Sequence, residues 1–301
     1  PGKNTPILEI VDFLNARARE NQWGFVDFNR PMVAINQWEQ AEDSMYTLCG
    51  KDRIHPSTDG HLVMAYLFLK AQGLAGKPVA DIRIDGAGKK VTRSDNCRVS
   101  DLSVSSDNLT FTYEAKSLPY PIDTSYYDNE KHTQADALSV IPFMDEMNYE
   151  GLSVSGLSDG YYGLTIGGEF IGRFTARELE RGINMALLQN TPQYKQAMKI
   201  RQMNEERWLK ERKMREFYWV EYNLMRKTGM LWACNEAAVD TLRKYRPHDI
   251  FLQWNGDLWL QYMHKGIRED CVNEQQDLVN RIYEQNKPIP LRIEIKKFTD
   301  L

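Results

Sequence analysis

The apolar residues of this chain change their period twice, and that change limits the fold more than any single motif. Ile7, Ile10, Val11, Leu14 and Ala18 recur at helical spacing behind Asn4-Thr5-Pro6, a polar cap candidate followed by Pro in the first turn. Trp23 to Phe28 (WGFVDF) is a short apolar run with β-branched and aromatic content, which predicts a buried strand. From Thr58 the segment TDGHLVMAYLFLKAQG predicts an apolar helix that stops near Gly73. Helix, buried strand and helix in that order is α/β grammar.

From Lys77 to about Arg173 the period falls to two. Ala80 to Ile84 alternates, Asp85-Gly86 and Gly88 supply a turn, and Lys89 to Thr92 returns, a hairpin signal. CRVSDLSVSSDNLTFTYEA adds two alternating runs around Ser106-Asp107-Asn108, and LSVSGL, YYGLTIGG and FIGRF add short strands with Gly turns. Pro119 to Met147, rich in Tyr, Pro and Asp, predicts a long loop. After Arg173 the helical period resumes. Thr191-Pro192 starts a helix running to about Thr228, with Met214, Tyr218, Tyr222 and Met225 as one apolar stripe. Further helices are expected around residues 230–245 and 257–286, and Leu291 to Ile295 predicts a closing strand. The expected domains are therefore residues 1–77 (α/β), 78–173 (a β-rich domain or insertion) and 174–301 (a helical extension).

A chain of 301 residues has the length of about two domains. Its 42% hydrophobic and 27% charged content excludes a disordered or collagen-like polymer. A net charge of -4 supplies no overall basic field for nucleic acid. The basic stretch from Lys195 to Arg226 is interleaved with Glu, and Glu206/Lys210 and Glu211/Arg215 stand four apart, the pattern of a solvated helix face. No apolar run approaches a membrane span. The chain opens Pro1-Gly2-Lys3 without a Met, and no segment near it has the order of a signal peptide. Cys49, Cys97, Cys234 and Cys271 form no CxxC pair and are read as buried or incidental thiols, with one or two disulfides open if the protein is exported.

The densest chemistry lies in KDRIHPSTDGHLVMA, residues 51–65. Asp52 and His55 stand three apart in a loop, so the carboxylate can take the imidazole Nδ1–H, fix the tautomer and stabilise the imidazolium formed during proton transfer. Pro56 stiffens the loop and Gly60 lets the next helix approach. Asp59 is expected to cap that helix, and His61 to pack or cap rather than bind metal, since no third ligand stands at metal spacing. His132, His248 and His264 have no recognisable partner in the sequence. Ser153 and Ser155 alternate within LSVSG and read as strand residues. Trp254 and Trp259, in QWNGDLWLQYMH, are read as packing residues, with a carbohydrate-stacking role as the alternative.

Asp-x-x-His-Pro, with Gly60-His61 following four residues after the Pro and then an apolar helix, resembles the last conserved block of the SGNH/GDSL hydrolases. The resemblance reaches back over about 50 residues. Ahead, LSVSGLSDGYYGLTIGGEFIGRFTARELERGINMA followed by TPQYKQA is similar to the carboxyl-terminal extension of bacterial GDSL-like esterases. It implies that residues 1–77 are the carboxyl-terminal part of a three-layer α/β/α domain, flavodoxin-like, with His55 as general base and Asp52 as the residue that orients it. It implies acyl-ester substrates, acetylated carbohydrate among them, no cofactor, and work in the periplasm or outside the cell. The family's Gly-Asp-Ser and Gly-x-Asn-Asp blocks are missing here, and so is Gly-x-Ser-x-Gly. The nucleophile and oxyanion donors are therefore expected from an amino-terminal half of the same protein. A base without a nucleophile does not complete acyl transfer. The competing reading is a non-catalytic module that binds a glycan or a protein.

Overall fold

The structure is a computed structural model that describes residues 4–125 and 132–298. The chain divides into two compact units, Pro1–Lys195 with Pro288–Leu301, and Gln196–Lys287. It is an α/β protein with two sheets and a helical region.

The first unit begins with helices α1 (Asn4–Asn21), α2 (Asn29–Glu39) and α3 (Thr58–Ala71). Strands β1 (Ala80–Asp85), β2 (Lys90–Asp95), β3 (Cys97–Val104) and β4 (Asn108–Ala115) follow, then a 3-10 turn at Gln134–Ser139 and the short α4 (Phe143–Glu146). β5 (Glu150–Ser155), β6 (Tyr161–Ile166), β7 (Glu169–Thr175), α5 (Ala176–Arg181) and β8 (Ile183–Asn184) complete this stretch. One sheet has the order β2-β1-β5-β8, with β1 and β5 parallel and Ile82 opposite Leu152. The other has the order β3-β4-β9-β6-β7, where β9 (Leu291–Lys297) lies antiparallel to both neighbours, Phe111 opposite Ile293 and Leu164 opposite Ile295. Alternation puts Leu109, Phe111 and Tyr113 of β4 and Ile293 and Ile295 of β9 inside, in one core with Ile82, Ile84, Leu152 and Val154. Each such buried side chain stabilises the fold by about 1.5–3 kcal/mol. A separate cluster holds α3 in place, with Leu62, Val63 and Tyr66 against Leu48, Ile122, Ala137, Ile141 and Phe143.

The helical unit takes most of α6 (Pro192–Val220), a π-helical turn at Glu221–Met225, then α7 (Glu236–Tyr245), α8 (Ile250–Tyr262) and α9 (Lys265–Gln285). Its core joins Met214, Phe217, Val220, Leu224 and Met225 to Leu242, Leu252 and Trp259.

Four expectations differ from the structure. Trp23–Phe28 is irregular and Trp23 is exposed, because a strand exists only by pairing and no described strand lies beside this one. Of the stripe Met214, Tyr218, Tyr222 and Met225, only the two methionines are buried. The inward face instead runs through Phe217 and Val220, and the wider π turn re-phases it before Met225. The helix expected over 257–286 is two helices, broken at Met263-His264 where the side chain of Arg268 takes the carbonyls of Tyr262 and Met263 at 2.5 and 2.8 Å. Residues 119–147 contain the 3-10 turn and α4 rather than loop alone, while residues 126–131 lie outside the described residues. The closing strand expected over Leu291 to Ile295 is present within β9.

Candidate active site

The Asp52–His55 loop is built by its own backbone. The amide of Gly50 donates to the carbonyl of His55 at 2.8 Å and that of Ser57 to Leu48 at 3.0 Å, closing residues 49–56 as a narrow antiparallel loop. Arg53 turns its tip with φ of 56° and donates to the Gly50 carbonyl at 2.9 Å. The base of the loop is fixed from two sides. Asn36 on α2 accepts the Leu48 amide on its side-chain oxygen at 2.9 Å, and Leu48 is fully buried. From the other side α3 presses on it at Gly60, where a Cβ would stand 2.0 Å from the Leu48 carbonyl oxygen. Only glycine permits that approach.

Asp52 has two tasks in this loop. Its Oδ1 accepts the amides of Ile54 and His55 at 2.9 and 3.1 Å, an Asx turn that sets the backbone. Its Oδ2 meets Nδ1 of His55 at 2.6 Å. An ionised carboxylate can only accept, so Nδ1 is the donor in this bond, and in the neutral ring the lone pair lies on Nε2. That bond, followed by the two amides, holds the Asp52 carboxyl down at about 2. The His55 side chain is 82% exposed, and among the described residues no group is bonded to its Nε2. The sequence-predicted pair is thus within bonding distance, with an outward-facing base.

The neighbouring groups are structural. Ser57 takes the N-cap position of α3, and Asp59 sits within the first turn, almost fully buried, where it accepts the Gly60 amide at 2.8 Å and the Ser57 hydroxyl. Asp59 therefore braces the first turn from inside it, rather than capping it. His132 approaches the other Asp59 oxygen at 3.8 Å. His61 donates from Nδ1 to the Ser57 carbonyl at 3.0 Å. Ser153 and Ser155 lie in β5, as strand residues. Trp259 is fully buried and Trp254 is exposed. On α6 the charges pair along the helix, Glu211 with Arg215 at 2.9 Å and Arg212 with Glu216 at 2.7 Å. No group of three His, Cys, Asp or Glu that could hold a metal converges among the described residues, and no described helix is long and apolar enough to cross a membrane.

Two glutamates buried completely were not singled out by the sequence. Glu150 is fully buried, accepting from the Tyr113 hydroxyl at 2.8 Å and from the Gln193 amide at 3.2 and 3.3 Å, and burial pushes it up to about 7. Its signal was parity, since it shares a strand face with Leu152 and Val154. Glu221, also fully buried, accepts the Trp232 amide and the Trp259 indole N–H, each at 2.8 Å. It stands four residues after Phe217 and four before Met225, on the inward face.

The family described as diltiazem deacetylase C-terminal helical domain matches residues 198–287, within the helical unit. The solved structure of a gut microbial diltiazem-metabolizing enzyme is similar along 98% of this chain and 67% of its own, at 41% identity and a TM-score of 0.92. None of the curated proteins compared matches. At that identity and coverage, the chain belongs to the family of this diltiazem-metabolizing enzyme, a family of ester-cleaving deacetylases.

Proposed function

We propose that the protein removes acetyl groups from esters by an SGNH-type serine mechanism, with His55 as general base and Asp52 as the group that orients it. The observation that carries this reading is the 2.6 Å Nδ1···Oδ2 contact, which makes Nδ1 the donor to Asp52 and leaves Nε2 as the ring atom free to meet a serine hydroxyl. Nε2 takes the proton of the nucleophilic Ser as its Oγ attacks the acetyl carbonyl. The tetrahedral oxyanion is held by N–H donors, and His55 then returns the proton to the departing alcohol. Water, deprotonated by the same Nε2, releases acetate and restores the serine.

The sequence contains neither Gly-Asp-Ser nor Gly-x-Ser-x-Gly. In this proposal the Ser and the oxyanion donors come from an amino-terminal portion of the same protein that is not in this sequence. Exposed apolar side chains, Ile7, Ile10 and Leu14 of α1 with Trp38 and Ile54, support it, because exposed apolar surface suits a cover of further protein. For the alcohol half we propose acetylated carbohydrate, met in the periplasm or outside the cell. The name of the similar enzyme supports a site that also admits a bulky acetylated small molecule.

The test uses the full-length gene product, with p-nitrophenyl acetate, diltiazem and an acetylated polysaccharide as substrates and a fluorophosphonate as serine probe. His55→Ala should cut acetate release by about 10²–10⁴-fold with the fold intact. Asp52→Asn should cost less, because the amide oxygen still accepts the backbone of the turn. A fully active His55→Ala enzyme sinks the assignment, and acetate release from the small esters alone removes the carbohydrate.

A further inference from the structure

The helical unit holds a second pair of groups suited to covalent chemistry. Cys234, exposed in the segment before α7, has its Sγ 3.3 Å from Nδ1 of His264, which is exposed at the break between α8 and α9. The two residues lie thirty apart in sequence, and their meeting is imposed by the fold.

Glu221 does most of that. Its buried carboxylate binds the Trp232 amide, two residues before Cys234, and the Trp259 indole, five residues before His264. One side chain thus brackets the two segments that carry the pair. On the cysteine side the amide of Ala233 donates to Met230 at 2.9 Å, and Asn235 caps α7 by accepting the Ala238 amide at 3.0 Å. On the histidine side Arg268 fixes the carbonyls of Tyr262 and Met263 and stacks over Phe217 at 4.9 Å. Both reacting groups are open to solvent on a rigid base. The other thiols lack this arrangement. Cys97 and Cys271 are buried, and burial pushes the partly covered Cys49 thiol up.

We propose that Cys234 and His264 form a thiol–imidazole pair that makes Cys234 a modification site for soft electrophiles, small-molecule disulfides above all. His264, in the tautomer with a free Nδ1, accepts the Sγ proton as the sulfur attacks one sulfur of the disulfide. A new S–S bond forms to Cys234 and the old one breaks. The departing thiolate takes the electron pair of the broken bond, and the imidazolium gives the proton back to it, or to water where the leaving group is a weakly basic aromatic thiolate, so electrons and protons balance.

The test is the reaction of the folded chain with 5,5′-dithiobis(2-nitrobenzoate), followed by the released chromophore, with the site mapped by peptide mass. The first equivalent should map to Cys234, in a phase faster than that of any other cysteine. His264→Ala and His264→Gln, whose exposed positions tolerate change, should slow that phase at least about tenfold without moving the melting temperature. First labelling at Cys49, or an unchanged Cys234 rate in both folded variants, overturns the proposal.

Discussion

Glu150→Gln is the sharpest test of how this fold handles a buried charge. The carboxyl is fully buried between Tyr113 and Gln193, and its pKa is pushed up to about 7 from 4.5, burial being the largest cause and the two hydrogen bonds opposing it. In the folded chain the proton is therefore kept until about pH 7, whereas the unfolded chain loses it near the ordinary value. Between those pH values the folded state binds more protons, so this residue's contribution to stability is full below about 4.5 and falls as pH rises through 7. The gap of 7 − 4.5, taken at 1.36 kcal/mol per decade, amounts to about 3 kcal/mol. Glutamine keeps an acceptor for Tyr113 and carries no charge at any of these pH values. Stability of the variant relative to wild type should thus improve by about 3 kcal/mol between pH 4.5 and 8. The assay is urea unfolding read by hydrogen exchange of the β4 and β5 peptides, which carry Tyr113 and Glu150. All other titrations cancel in the difference between the two proteins. A difference that stays constant from pH 4.5 to 8 refutes the reasoning.

The opposite sign holds at Asp52, whose folded pKa of about 2 lies below the ordinary 3.8. Its contribution is present above 3.8 and disappears as pH falls through 2, so a carboxyl carbon titration by NMR should give a midpoint near 2, and one near 3.8 dissolves the bond to His55. Gly60→Ala drives a methyl group into the Leu48 carbonyl, which stands 2.0 Å from the ideal Cβ, and should cost about 1–3 kcal/mol and displace the His55 loop. An unchanged melt and unchanged acetate release in the full-length protein would contradict that packing. Glu221→Ala strands the Trp232 amide and the Trp259 indole, and thermal unfolding of the helical unit should show about 2–4 kcal/mol lost, with Glu221→Gln milder. Equal losses in the two variants would mean that hydrogen bonding to the side chain is not what holds those segments.

The parts of this fold that can be read from sequence are those where one local pattern decides. The hairpin of β1 and β2 follows from its alternation and its Asp85-Gly86 turn, and α3 from its apolar run and Gly73, which takes φ of 71°. The Asp52–His55 contact is local too, since a three-residue spacing in a closed loop leaves few other partners for the ring. What stays hidden depends on distant chain. WGFVDF has the composition of a strand, yet pairing is a property of two segments, and among the described residues no strand pairs with it. The strand signal of β9 is visible, but not its insertion between β4 and β6, which lie more than 120 residues earlier. Cys234 and His264 meet for the same kind of reason, through a carboxylate that neither sequence neighbourhood contains. The burial of Glu150 and Glu221 lies in between, because strand parity and helical phase point both side chains inward, against the expectation that acids face water.

The exposure of His55 decides what its bond to Asp52 is worth. Water screens charges at such an exposed site, so in this loop the contact chiefly aims the ring. A catalytic base needs more, and obtains it when water is excluded and the same carboxylate acts through a lower dielectric. Covering the loop is therefore as much a part of the proposed mechanism as the serine itself. It has a separable signature. In the full-length protein the His55 imidazole should be protected from diethyl pyrocarbonate, and the protection should survive substitution of the nucleophilic Ser by Ala, because it comes from the protein that covers the loop rather than from the reaction. If His55 is modified there as fast as a free imidazole, the surface around it is not covered. The proposed mechanism then loses the dry environment that it requires.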